Sequence, residues 1–504
     1  MRGIRRALPV SALVLLLGSP MAAVSDASRA LGPGPVSVVQ TTADLRQRLE
    51  PLASLHFSSA APGKGTPIVR VDDARRYQTV SGFGAAMTDS SAWLIERRLS
   101  AATRVALMSR LFGAGGIRLG YLRVPVAASD FTVGRGHSYE HGRPYSYDDV
   151  ATGRADPHLA HFSIAHDRGY VLPALTEARS LNPQIEFMAS PWSPPAWMKR
   201  NDSLANNRNR GILRATAYRP YAAYLVRFIE AYAEAGIPIT ALTAQNEPQV
   251  AVPYPGMNIS EPAEASWIVR DLRPALSRAH LNVKLYAGDL GWAKASVPYF
   301  KRSLSGPARS SFSGLAWHCY YGTPDVMGAF HRRHPAIEEI VDECSPGISA
   351  IPVADVVISS LRNWASTVAL WNVALDTRGG PVQAPNAGCR GCYGLARIDA
   401  RRGTVRLTSA YYELGQASRF IERGAVRVAS SNFVSYDYRR PGVDFVSRGL
   451  DDVALLNPDG SHVLLAHNAA RRALTFAVAW RGAYFRYRLP AGATATFTWS
   501  STAG

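Results

Sequence analysis

The sequence predicts an α/β protein, a (β/α)8 TIM barrel followed by an antiparallel β-domain, on three observations. From about residue 76 to 418, short apolar, β-prone runs alternate with amphipathic helical stretches, which is the pattern of parallel βαβ units. Eight such runs can be counted, and eight strands close a barrel. Beyond about residue 419 the helical period stops and short strands with turn signals replace it.

The eight runs are 78–83, 121–124, 186–190, 241–244, 284–287, 314–317, 339–342 and 367–370. Among the helical stretches, 218–235 puts Tyr221, Leu225, Phe228, Ile229 and Tyr232 on one face. Residues 31 to about 65 are rich in Gly, Pro, Ser and Thr with a strand-like piece at 36–40, and 31–75 reads as a linker and strand that join the β-domain. The barrel is expected over 76–418 and the C-terminal β-domain over 419–504, where Asn457-Pro458-Asp459-Gly460 separates 453–456 from 462–466 as a hairpin turn would. Residues 1–30 have a basic start (Arg2, Arg5, Arg6), an apolar run over 8–17 and small residues at Ala22, Ala23 and Ala27, the order of a secretory signal peptide. The apolar run falls well short of the roughly 20 residues that span a bilayer, so a secreted protein without a transmembrane segment is expected.

Composition narrows the function classes. With 47% hydrophobic and 19% charged residues over 504 positions, the chain is globular rather than disordered. Its net charge of +18 is almost all arginine and is scattered along the chain rather than gathered into a stripe. That argues against nucleic acid as a partner, while suiting loose adhesion to acidic cell-wall polymers. Four cysteines, Cys319, Cys344, Cys389 and Cys392, are too few for a disulfide scaffold. The closely spaced Cys389 and Cys392 could pair with each other, or all four could form a zinc site.

Barrel enzymes carry their chemistry just beyond the C-terminal ends of the strands. Here those positions are polar or aromatic: Arg123, Trp192, Asn246 with Glu247, Asp289, His318 with Tyr320, Glu343, and Trp371 with Asn372. Cleaving a glycosidic bond requires one carboxyl to protonate the leaving oxygen, a second to capture the cationic sugar, and aromatic faces to hold the ring. Each residue also has a plain structural reading. A lone Glu is usually a solvated or ion-paired surface group; Trp192, Trp197 and Trp371 could be packing residues; His318 could be a hydrogen-bonded structural histidine; Arg123 could simply anchor a carboxylate. What lifts the pattern is Glu247 and Glu343, on runs four and seven, facing each other across one mouth. A separation near 5 Å would allow a covalent sugar intermediate and hence retention of configuration, with no metal or organic cofactor required.

The motifs carry a further resemblance. Gly82-Phe83-Gly84-Ala85-Ala86-Met87-Thr88-Asp89, Leu122-Arg123-Val124-Pro125, Ser129-Asp130-Phe131, Ser190-Pro191-Trp192-Ser193-Pro194-Pro195-Ala196-Trp197-Met198-Lys199 and Thr243-Ala244-Gln245-Asn246-Glu247-Pro248 resemble glycoside hydrolase family 30, the glucosylceramidase and endo-β-1,6-glucanase family. Trp317-His318-Cys319-Tyr320, Asp342-Glu343-Cys344 and Leu370-Trp371-Asn372 continue the match in the family's order. The resemblance implies a barrel with a β-sandwich-like domain built from both chain ends, Glu247 as acid/base and Glu343 as nucleophile. It implies a sugar-binding shell of Arg123, Asp130, Trp192, Asn246, His318, Tyr320, Trp371 and Asn386. The implied activity is retaining hydrolysis of a β-linked glucoside, a glucan or glycolipid, on the pattern of a glucosylceramidase. An endo-β-1,6-glucanase or another β-glycosidase of the family is the alternative, and a non-catalytic carbohydrate-binding protein is the alternative of another class. Two departures bear on substrate choice: Cys319 stands where an aromatic residue is expected, and the loop over 379–394 is longer and differently composed.

Overall fold

The computed structural model describes residues 34–501 apart from 134–143, 294–295, 297–299, 301–303, 349–350, 384–386, 389–390 and 441–443. The expected signal segment 1–30, Asn386 and Cys389 therefore lie outside the described residues.

Eight parallel strands close into a barrel: β1 (Gly82–Ala86), β2 (Tyr121–Val126), β3 (Glu186–Pro191), β4 (Ile239–Thr243), β5 (Lys284–Gly291), β6 (Gly314–His318), β7 (Glu338–Glu343) and β8 (Ala365–Leu370). All eight expected runs fall on these strands except the first, which divides. Its opening residues close the strand Ile68–Thr79 of the β-domain, and its final residues open β1. The two pieces differ in burial: Ile68–Thr79 is largely half-exposed, as befits a sheet with one wet face, whereas β1 is almost wholly buried. The expected helix is Tyr218–Glu234, and the five residues assigned to its inner face are all buried.

Side-chain alternation builds the barrel interior in layers. Tyr121, Met188, Ala241, Tyr286, Ala316, Ile340 and Ala369, one from each strand from β2 to β8, form an apolar layer. Two residues further along, toward the C-terminal end, four of these strands place Arg123, Ser190, Thr243 and His318, all fully buried. The apolar layer is thus a floor and the polar layer stands directly on it.

The three strands Val36–Thr41, Glu50–Leu55 and Ile68–Thr79 join the C-terminal strands in one ten-stranded sheet. Three N-terminal strands take part where the sequence suggested one, because the half-buried alternation of the second and third is weak. Thr494–Trp499 pairs with Val36–Thr41, far along the sheet from Ala483–Leu489, yet the Phe497 ring meets Phe485 at 5.3 Å. The sheet therefore doubles back on itself as a sandwich around Val36, Val69, Phe476, Val478, Phe497 and Trp499. The hairpin forms as expected: Leu456 pairs with His462, Gly460 takes φ +83°, and its N–H donates to the Asn457 carbonyl at 3.0 Å. Helix Val353–Arg362, which connects β7 to β8, packs against the sandwich strand Asp444–Leu456 and buries Asp355 close to Ser447 and Asp451.

Candidate active site

The barrel's C-terminal mouth is held by backbone hydrogen bonds that continue the strand ladders into the loops. Asn246 N–H donates to the Pro191 carbonyl at 2.9 Å, Glu247 N–H to Asp289 at 3.1 Å, Cys319 N–H to Glu343 at 3.1 Å and Trp371 N–H to Cys344 at 2.8 Å. Each candidate side chain thus stands on a fixed peptide. Two breaks in strand register aim the carboxylates. Between β6 and β7, Val341 faces Trp317 but Glu343 faces His318, so two residues of β7 oppose one of β6. A similar slip between Gly288 and Leu290 interrupts β5, where Asp289 takes φ +55°. These bulges bring Asp342, Glu343 and Asp289 all to Arg123.

Arg123, fully buried at the centre, is the organising cation. Its Nη1 donates to Glu343 Oε2 at 2.5 Å, and its Nη2 donates to Asp289 Oδ1 at 2.9 Å and to Asn246 Oδ1 at 2.8 Å. Its Nε lies 2.9 Å from Asp342 Oδ2. Burial presses against its charge, but the charges of Asp289, Asp342 and Glu343 hold its pKa up. The stacked indoles of Trp192 and Trp371, with centroids 4.9 Å apart, both lie close to the guanidinium, at 4.8 and 5.4 Å.

Glu343 also accepts a hydrogen bond from Tyr320 Oη at 3.2 Å, and Tyr320 Oη lies 2.8 Å from Ser345 Oγ, whose hydroxyl donates to it. Burial pushes the Glu343 carboxyl up, while the His318 and Arg123 charges pull it back. His318 Nε2 lies 2.7 Å from Asp289, and its Nδ1 lies 3.2 Å from Glu247 and 3.7 Å from Glu343. Burial opposes charge on this ring, but Glu343 and the hydrogen bonds to Asp289 and Glu247 outweigh it and raise its pKa. Asp289 is held ionised against its burial by Arg123 and His318, whereas burial and the Asp289 charge push Asp342 up. Asp130, 7% exposed, is likewise pushed up by burial and then by Glu343 and Glu247.

Glu247 is the most open of the carboxyl groups here, its side chain 22% exposed against 7% for Glu343. Its backbone is left-handed, φ +42°. One oxygen of each of these two carboxylates lies within 4.8 Å of the other. Retaining glycosidases hold their carboxyl pair about 5–5.5 Å apart, while inverting ones leave about 6.5–9.5 Å for a water. So close an approach suits the first class of geometry.

Of the candidate residues, Arg123, Asp130, Trp192, Asn246, Glu247, His318, Tyr320, Glu343 and Trp371 thus converge on one mouth, and Asn386 lies outside the described residues. Trp197 is buried and its indole donates instead to Asp148 Oδ2 at 2.8 Å. Asn372 is also fully buried and accepts from Thr88 Oγ1 at 2.6 Å. The four-cysteine zinc site is overturned, because Cys319 and Cys344 form a disulfide with each other. This pair went unnoticed in the sequence although each cysteine directly follows a site residue, His318 or Glu343, on neighbouring strands. Asp342, Ser190 and Ser345 also went unassigned; alternation from the apolar layer would have found the first two.

Comparison with known proteins agrees with the fold. The model of the glycosyl hydrolase family 30 TIM-barrel domain matches residues 80–388, and that of the family's beta sandwich domain matches 424–497. An endo-1,6-beta-D-glucanase of Aspergillus fumigatus is 34% identical over 82% of this chain and 85% of its own. A lysosomal acid glucosylceramidase of Mus musculus is 28% identical over 80% and 77%. Among solved structures, the endo-beta1,6-glucanase BT3312 superposes with a TM-score of 0.78 at 26% identity, covering 93% of this chain and all of that one.

Proposed function

The chain belongs to glycosyl hydrolase family 30 and is a β-glycosidase, and from that premise we propose that it hydrolyses β-1,6-linked glucans outside the cytoplasm by double displacement. Glu343 attacks the anomeric carbon while Glu247 gives its proton to the leaving oxygen, forming a covalent glycosyl-enzyme. Glu247 then takes a proton from water, which attacks the same carbon and frees Glu343. Arg123 and Tyr320 hold the nucleophile in line, and the charged His318 ring lies between both carboxylates. Trp192, Trp371, Asp130 and Asn246 form the wall against which the sugar binds, Asn246 being placed for the 2-hydroxyl, a contact that tightens as positive charge develops on the ring.

The observation that carries this reading is the oxygen approach within 4.8 Å between Glu247 and Glu343. Between the two substrate readings, glucan is favoured by the 34% identity to the fungal glucanase against 28% to the mouse glucosylceramidase. Action in an oxidising compartment is supported by the Cys319–Cys344 disulfide and by the signal-like residues 1–30. The test is a product panel of β-1,6-glucan, glucosylceramide and xylosyl and galactosyl glycosides, with the first-formed anomer followed by proton NMR. Glucose or gluco-oligosaccharides appearing first as the β-anomer are expected. An α-anomer would refute the double displacement.

A further inference from the structure

Six large apolar side chains are well exposed among the described residues, and four of them lie on loops at the catalytic mouth. Ile212 follows β3, Val250 lies three residues beyond Glu247, Tyr321 three beyond His318 and Ile348 five beyond Glu343. Tyr321 is the most exposed, at 61%, and the only aromatic of the four. Its neighbour Tyr320 turns inward to bond Glu343, so the two tyrosines divide one loop between nucleophile and solvent.

Tyr321 is held in place at a conformational cost. Its φ is +56°, a region that bulky L-residues rarely occupy. The peptide cannot easily relax, because it is wedged on both sides. A Cβ on Gly291 would stand 2.5 Å from the Tyr320 carbonyl oxygen, and one on Gly322 would stand 2.1 Å from that of Trp292. Two residues back, Cys319 ties the loop to Cys344 beside the nucleophile. The Tyr321 ring leans over the C-terminal end of β5, where a Cβ on Gly291 would stand 3.6 Å from Tyr321 Cδ2. The exposed phenol thus stands on the same loop that carries Tyr320 to Glu343, at the C-terminal rim of the barrel.

We propose that Tyr321 is the stacking platform of a leaving-group subsite, taking the apolar face of the pyranose ring on the reducing side of the scissile bond. This rests on the glycosidase reading and specifies its leaving group. A sugar ring presents a C–H face that stacks on an aromatic ring while its hydroxyls stay in water. A lipid chain would need a continuous apolar surface of a few hundred Å2, whereas these four side chains stand on four separate loop positions.

The experiment compares kcat/KM on a β-1,6-linked gluco-oligosaccharide with that on the β-fluoride of β-1,6-glucobiose, whose leaving atom reaches no platform. Tyr321→Ala is expected to lower the oligosaccharide-to-fluoride ratio by roughly tenfold, mainly through KM. Tyr321→Trp is expected to keep it. A ratio unchanged in Tyr321→Ala overturns the platform. A wild type that releases fluoride and cleaves glucosylceramide in mixed micelles but leaves the oligosaccharide intact overturns the sugar occupant. A wild type that attacks none of the three refutes the glycosidase reading itself.

Discussion

Arg123 donates to Glu343 at 2.5 Å from a fully buried position, with Asp289 and Asp342 on its other nitrogens. A planar fork with several donors meets these groups at once, and an ammonium cannot. Arg123→Lys keeps the charge but frees Glu343 to move, so kcat/KM should fall about a hundredfold. Steady-state kinetics on a β-glucoside beside a thermal melt separate this from unfolding. Near-normal kcat/KM would show that the arginine only fills space.

Glu343 and Glu247 should fail in opposite stereochemical senses. Glu343→Ala should lose hydrolysis by about four orders of magnitude, and added azide should restore turnover as the α-glycosyl azide. Glu247→Ala should retain attack on substrates with good leaving groups and yield the β-glycosyl azide. NMR of the azide products assigns both roles, and identical anomers from the two variants would refute the assignment.

The Cys319–Cys344 crosslink closes a loop of 25 residues. In the chain-entropy account that contributes about 3.5 kcal/mol. Replacing both cysteines with serine should lower stability by that order in denaturant titration. It should also loosen Tyr320, so that KM and kcat both suffer before the fold is lost.

Asp355 and Asp452, buried between helix Val353–Arg362 and the sandwich, are each pushed up to about 7 by burial. The unfolded values lie near 3.9. The folded state therefore binds the extra protons between these limits, and this contribution to stability, complete below about pH 4, is lost as pH rises through about 7. Buried His467, depressed to about 4, acts oppositely, losing stability as pH falls below about 6.5. Two carboxyls against one imidazole leave a net decline of stability from pH 5 to 8. Asp452→Asn removes one of the two, and its melting temperature should fall less steeply over that range. Equal slopes would show that Asp452 is ionised throughout.

The barrel was legible in the sequence because its strands are short, β-prone and separated by helices of clear period, as Tyr218–Glu234 shows. The two catalytic candidates were legible because Glu247 and Glu343 end such runs within distinctive motifs. What escaped was whatever depends on register. That Glu343 joins the inward-facing Asp342 at Arg123 escaped because β7 carries an extra residue opposite His318, where strict alternation would send Glu343 outward. The Cys319–Cys344 pair escaped for a related reason: two cysteines distant in the chain become neighbours only once β6 and β7 are placed side by side. The second and third N-terminal strands escaped because a half-wet strand with scattered charges, such as Ile68–Thr79, reads as a loop.

Val36–Thr41 finds its long-range partner in Thr494–Trp499, about 450 residues downstream. At a synthesis rate of about 5–20 residues per second, the first of these strands waits roughly 20–90 s for the second to be made. The barrel has all its strands by Leu370, so it can assemble while the sandwich still lacks its closing members. Early in its life the nascent chain must therefore carry an incomplete edge, and a segment made about 450 residues later is the one that seals it.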